Sequence, residues 1–345
     1  MTYLDYSATT KISKEVLDEV SNDLFTKATN KDIKDYQNKI KNILNTNHDV
    51  IFTSGSSESN NYAIKGISLN TKKKEIITTE VEHSSITETL SYLKSQGFII
   101  KTIPIHDGLL SLSELKKAIT KDTALITITA VNSETGLLNP VNEIGKIAKE
   151  NNIPFHCDMT QSIGKINIPL NNIDLISLSS HKFYGPKGIG LLLKKPNIKL
   201  KPLIYGKRNY NLGLIKGLTK SLEEALSNID EKYKKVEGLN NYLKDNLKNL
   251  PNIIINQSPN SIPHILNISV LNYKPETFLH YLEMSHIYIS TQSACSTNDY
   301  SKSVYALTND KELAKTSVRI SLSYKTTKEE LDKLIRCIKR SQNGN

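Results

Sequence analysis

The sequence predicts an α/β fold: a large domain with a mostly parallel sheet flanked by helices, then a smaller C-terminal α+β domain. Two observations carry this. Strand-like apolar runs alternate with helical patterns through the first two thirds of the chain, as βαβ units require. Past about residue 218 that alternation stops, and a long charged amphipathic stretch leads into a mixed unit. The length of 345 residues allows about two domains at roughly 150 residues each. The boundary falls near 215–225, giving a large domain over 12–220 and a small one over 221–345 joined by residues 1–11.

Taken in order, strands are predicted at 50–53, 75–78, 98–103, 124–130, 153–157, 175–178 and 190–193. The run 124–130 reads Ala-Leu-Ile-Thr-Ile-Thr-Ala, apolar and β-branched enough for a buried central strand. Helices are predicted at 58–69, 84–96, 111–119 and 141–150, the third opening on Ser111-Leu-Ser-Glu. The stretch 218–249 reads as one long helix bridging the two domains. Strands then follow at 253–255, 265–270, 287–290 and 318–322, with helices at 275–284 and 327–342 and a turn at 259–263.

Composition narrows the function classes. Apolar residues make up 38% and charged residues 23%, which argues for a globular chain. Three cysteines without a CxxC exclude a disulfide scaffold and a zinc ribbon, and no metal site is expected. The longest apolar run, Ile189 to Leu193, is far below the ~18 residues of a membrane span. The opening MTYLDYSATT has no basic or apolar leader segment, so a soluble, cytoplasmic protein is expected. The net charge of +10 reads as a lysine-rich solvated surface, or else as a face for acidic protein or RNA partners. Without aromatic interleaving or a nucleic-acid motif, direct nucleic-acid binding is not expected.

Five constellations carry chemistry. Ser54-Gly55-Ser56-Ser57-Glu58 lies between a strand and a helix, where exposed N–H groups can cradle an anion or a serine can merely cap. Ser179-Ser180-His181-Lys182 follows an apolar strand. Lys182 is a surface charge there, or, in a partly apolar pocket, an amine with a lowered pKa able to act as a nucleophile. Asp158 leaves a buried strand and needs a cation, for which a protonated organic nitrogen suits better than a metal; capping the next turn is the alternative. Cys295 sits in a polar loop and is either a bystander or a thiolate nucleophile, whereas Cys157 and Cys337 read as core residues. Arg319, inside an apolar strand, requires a carboxylate, either an internal one or a ligand's.

Together these segments resemble the pyridoxal-phosphate enzymes of the class V aminotransferase superfamily, and most closely the cysteine desulfurases. The matching motifs run in order: Tyr3-Leu-Asp-Tyr-Ser-Ala-Thr-Thr10, Phe52-Thr-Ser-Gly55, Glu58-Ser-Asn-Asn61, Glu82-His83, Asp158 with Gln161, Ser179 with His181-Lys182, Ser293-Ala-Cys295, and Arg319 with Ser321-Leu322. The resemblance implies fold type I of the pyridoxal-phosphate transferases and pyridoxal 5′-phosphate as cofactor. Lys182 would carry that cofactor covalently and move protons. Asp158 would pair with its ring nitrogen, His83 would stack on the ring, and Gln161 and Ser133 would reach the ring oxygen. Ser56, Ser57, Ser179 and His181 would hold the phosphate. Arg319, with Asn132 nearby, would bind the α-carboxylate of L-cysteine. Cys295 would take the sulfur as a persulfide from a long loop and pass it to an acceptor protein, an iron–sulfur scaffold or a thiolation enzyme. A homodimer is implied.

The chain also departs from the family. Ser57 stands where Thr is usual, and Ser133 where an Asn is expected. The Asn-Pro-Ser-Ser…His segment is replaced by 25–36, and the stretch that reaches a partner subunit's phosphate is not recognisable in 204–211. Selenocysteine lyase, another class V lyase or aminotransferase, and a non-catalytic or partner-dependent assembly subunit are the competing readings.

Overall fold

The computed structural model describes residues 1–106, 108–206, 208–291 and 299–342. Seven strands form the main sheet in the order Asp49–Thr53, Gly190–Lys194, Leu175–Ser179, Phe155–Asp158, Thr123–Thr129, Glu75–Thr79, Ile99–Ile103. All neighbours run parallel except Gly190–Lys194, which is antiparallel to both of its own. Every residue of the central Thr123–Thr129 is buried, as a sheet covered on both faces demands.

Successive side chains leave a strand on opposite faces, and the two cores divide accordingly. Ile76, Leu125 and Leu192 pack with Ile64, Ile67, Leu90 and Leu93 of the helices Ser56–Ser68 and Ser84–Ser95. Their neighbours Ile77, Ile126, Leu191 and Leu193 face the other way, onto Val141–Glu150 and Leu212–Leu226. A further core surrounds the antiparallel sheet Ile253–Ile255, Ile265–Val270, Ser317–Ser321, and it takes in Leu4 from the start of the chain. There Thr2–Tyr3 pairs with Ile287–Tyr288, and Asp5 bridges Ser321.

The predicted strands and helices of the main sheet are present with ends shifted by a residue or two. The stretch 218–249 is not one helix. Leu212–Leu226 and Ile229–Leu247 are separated at Ser227 and Asn228, and Asn228 takes a left-handed φ of 49°. The break follows from burial: Ile215, Leu218 and Leu222 serve the main core, whereas Val236, Leu243 and Leu247 serve the C-terminal one. A continuous helix cannot face both, and Asn tolerates the left-handed conformation better than most residues. Two helices that the sequence patterning did not reveal, Lys14–Asn22 and Asn30–Ile43, are capped by Ser13 and by a Thr29–Asp32 capping box. Two short helices, Lys302–Thr308 and Lys311–Lys315, precede the strand Ser317–Ser321. Among the described residues no helix is long and apolar enough to cross a membrane.

The topology fixes where the site lies. The C-terminal ends of five aligned strands and the segments after them deliver Ser56, His83, Asn132, Asp158 and Lys182 to one edge of the sheet, where open α/β sheets bind ligands. Gly190 makes this edge possible. A Cβ there would sit 2.5 Å from the Leu178 carbonyl and 2.7 Å from Gly55 Cα.

Candidate active site

A cavity of about 310 Å³ opens at that edge, lined by Lys182, Asp158, His83, Gln161, Ser56 and Arg319, with Ser7, Asn132, Ser133, Thr160 and Ser290 around them. Lys182 closes the 3-10 turn Ser180–Lys182 after the strand Leu175–Ser179. Its Nζ donates to the carbonyls of Ser7 at 2.6 Å and Ala8 at 2.7 Å. Burial, aided by the positive charge of Arg319, pulls this amine from 10.5 down to about 8.

Asp158 ends its strand only 5% exposed. Its oxygens accept from Asn60 Nδ2 at 2.8 Å and from the Thr160 N–H at 2.9 Å, both neutral donors. No cation among the described residues lies within ion-pair distance of it. A buried carboxylate held this way is suited to a positively charged group arriving from the cavity. Asn60 Oδ1, Ser7 Oγ and Thr160 Oγ1 are likewise buried without partners. These groups fit a compact aromatic ligand bearing a protonated ring nitrogen and several polar substituents, which is the chemistry of pyridoxal phosphate.

His83 caps the helix Ser84–Ser95, its Nδ1 accepting from the Ser85 N–H at 3.1 Å. That bond puts the proton of the neutral ring on Nε2. Surrounding protein and the charge of Lys182 hold its pKa below the ordinary histidine value against the pull of Asp158. Beside it, Glu82 accepts from Thr79 Oγ1 and from the Thr129 N–H. Burial, reinforced by Asp158, raises Glu82 to about 8, so it mostly carries a proton at neutral pH.

Arg319 is 4% exposed and has an internal carboxylate partner. One nitrogen pairs with Asp5 Oδ1 at 2.8 Å and another donates to the Ser133 carbonyl at 2.9 Å. Its Nε is buried without a partner, and the group lines the cavity. Gln161 donates to the Ser7 carbonyl at 2.9 Å and accepts from Lys165 Nζ at 2.6 Å.

The cavity thus gathers Lys182, His83, Asp158, Gln161, Ser56, Ser133, Asn132 and Arg319. Asn132 arrives with its donors engaged, to the Val81 carbonyl and Ser303 Oγ, and its oxygen accepts from Glu134 and Thr135. Ser57, Ser179 and His181 lie beside the cavity rather than on its wall. Ser57 follows Ser56 in the first helical turn, and Ser179 Oγ is 3.5 Å from where a Cβ on Gly55 would stand. His181 bonds Thr9 Oγ1 at 3.1 Å, and burial next to Lys182 lowers it to about 4. Cys295 lies outside the described residues, whereas Cys157 and Cys337 are buried, free thiols. No metal-ligating group of His, Cys, Asp or Glu occurs among the described residues.

Asp5, Ser7, Asn60, Glu82 and Lys165 were not assigned roles from sequence. The first four stand inside the quoted motifs, so proximity to a motif was the available signal. Lys165 had none beyond its position four residues after Gln161.

The chain matches the aminotransferase class-V family over residues 2–211 and 210–334. It is 37% identical to the cysteine desulfurase IscS of Clostridium botulinum strain Hall, over 96% of this chain and 91% of the relative. A NifS-like protein of known structure superposes with a TM-score of 0.92 at 30% identity, both chains covered fully. The structure of SspA in complex with cysteine superposes with a TM-score of 0.80 at 30% identity, covering 95% of this chain and all of the other.

Proposed function

We infer the division of labour in this site from one premise: the chain belongs to the class-V aminotransferase family and is a pyridoxal-phosphate-dependent cysteine desulfurase. It takes L-cysteine as substrate and supplies sulfur. The observation that carries the residue assignments is the shared cavity, in which a lysine amine with a lowered pKa and a buried carboxylate lacking a cation face one space.

When bound, pyridoxal 5′-phosphate supplies a conjugated electron sink that labilises bonds to the substrate. Lys182 would hold it covalently and would be the amine that moves protons at the substrate. Asp158 keeps the ring nitrogen protonated, and Asn60 holds that carboxylate in place. His83, with its proton on Nε2, would stack on the ring. Gln161 presents an N–H to the ring oxygen, and Ser133 contributes to the same side. Ser56 and Ser57 at the helix start, with Ser179 and His181, hold the phosphate. Arg319, oriented by Asp5 and the Ser133 carbonyl, binds the substrate carboxylate through its remaining donors. Asn132 shapes the loop that carries Ser133 instead of spending a donor on substrate.

The Cys295 thiolate attacks the sulfur of L-cysteine. The carbon–sulfur bond breaks, a persulfide remains on Cys295, and the three-carbon product leaves as L-alanine after protonation. The persulfide passes to an acceptor protein, an iron–sulfur scaffold or a thiolation enzyme. A thiol that must be reduced in each cycle suits the cytoplasm. The main and C-terminal cores support a large unit and a small one that takes in the start of the chain, with the changeover at Ser227 and Asn228, a few residues beyond 220. A homodimer is supported by the exposed apolar groups Leu24, Phe25 at 98% exposure, Ile204 and Tyr205.

Two variants test this. Cys295→Ala should show the visible band of the loaded enzyme but release no sulfide from L-cysteine under reductant; substantial turnover would overturn the nucleophile. Lys182→Ala should lose the normal band, and an unchanged spectrum would overturn the cofactor's attachment.

A further inference from the structure

Lys165 has an environment that lysine rarely occupies. It is 8% exposed, and no carboxylate pairs with it among the described residues. The charges acting on it are those of Lys182 and Arg319, and it shares a small cavity with Tyr6, Tyr184, Lys232 and His264, whose Nδ1 is itself buried without a partner. Its hydrogen bond is to Gln161 Oε1 at 2.6 Å. An ammonium buried among cations is costly, and a lysine has the reach to avoid that by turning outward.

The backbone aims it inward. Ile163 bonds back to Met159 and Ile166 to Ser162, so the segment coils and sets Gln161 and Lys165 on one side. Gly164 completes the coil at φ 72°, where a Cβ would meet Ala225 Cβ at 2.7 Å. Only glycine fits both that conformation and that approach.

We propose that Lys165 is a positioning residue, fixing the Gln161 side-chain amide so that its N–H group, and not its oxygen, is offered to the ligand in the cavity. The geometry leaves one orientation. Gln161 Oε1 faces the Lys165 donor, and Nε2 donates to the Ser7 carbonyl, which also receives Lys182 Nζ. A flipped amide would set its oxygen against the Ser7 carbonyl, losing that bond, and while Lys165 is protonated its N–H group would face an ammonium as well. One Nε2 hydrogen remains for the ligand. Burial pulls the Lys165 amine to about 7, which accords with a group held inside for its hydrogen bond.

The proposal rests on the reading that this cavity binds pyridoxal phosphate, and the test separates the two. The readouts are the dissociation constant of pyridoxal phosphate and the pH midpoint of the visible band of the loaded protein. Lys165→Met frees the Gln161 amide to turn. The dissociation constant should then rise about three- to tenfold, and the midpoint should move upward by roughly half a unit to one unit, because the ring oxygen loses a fixed donor. Lys165→Arg keeps a donor and should restore most of both. In a Gln161→Leu background, which has no amide to orient, Lys165→Met should cause no further change. If Lys165→Met does not fold, Lys165→Gln replaces it, since an amide can donate or accept and imposes no orientation. Normal loading with unshifted readouts in Lys165→Met would overturn the positioning role alone. An equal shift in the Gln161→Leu background would also overturn it. No visible band in the wild-type protein would overturn the functional reading and this proposal with it.

Discussion

Mixing the cofactor-free protein with pyridoxal phosphate over a pH series should reveal the Lys182 amine titrating near pH 8. Only the neutral amine attacks an aldehyde. An amine at 10.5 is neutral in about one molecule per thousand at pH 7.5, whereas one at about 8 is neutral in about a quarter. The gain in reactive amine is therefore about 200-fold. Burial is the main cause, and the Arg319 charge adds to it, while Asp5 and Asp158 oppose both. The two members of one ion pair thus act on Lys182 with opposite sign. Arg319→Gln removes a cation and leaves Asp5 uncompensated, so the midpoint should rise, by on the order of one unit. Asp5→Asn leaves the cation uncompensated, so the midpoint should fall. Stopped-flow growth of the visible band, referred at each pH to the rate with a free lysine derivative, measures this. A wild-type midpoint near 10, or both variants moving the same way, would refute the electrostatic account of this site.

Asp158→Asn should weaken pyridoxal-phosphate binding about 10- to 100-fold by equilibrium dialysis, as a charge-assisted hydrogen bond becomes a neutral one. Glu82 stands at about 8 in the folded chain against 4.5 ordinarily, so between those values the native state keeps a proton that the unfolded state has lost. Its contribution to stability therefore falls as pH rises through that window. Glu82→Gln should flatten the decline of the urea midpoint between pH 5 and 8, and an unchanged slope would count against a protonated Glu82. Asn228→Gly should leave stability within a few tenths of a kcal/mol, while Asn228→Val should cost about 1–2 kcal/mol in urea denaturation, because a β-branched residue resists the left-handed joint.

The main sheet was legible because each strand is a short apolar run ended by small or polar residues, a signal confined to a few neighbours along the chain. Lys182 and Asp158 stood out as candidates for a related reason: each stands at or just past the end of such a run, where a parallel strand must release its chain, whereas His83 was marked only by the resemblance. The helix break at Asn228 left no comparable mark, because 218–249 stays amphipathic throughout and only the two cores show that its faces differ. The helices Lys14–Asn22 and Asn30–Ile43 bury only two residues and one, respectively, too few for a clear periodic signal.

Periodicity and the residues at element ends, which act over a few positions, were enough to specify an α/β chain, and the resemblance to family motifs marked its candidate site residues. Partnership between charges was not accessible that way. Asp5 meets Arg319 across 314 positions, and Lys182 lies against the carbonyls of Ser7 and Ala8 across more than 170. Whether a lysine is reactive, a glutamic acid protonated or an arginine available depends on burial and on neighbours that meet only when the chain has closed, since desolvation and Coulomb forces act through space and not along sequence.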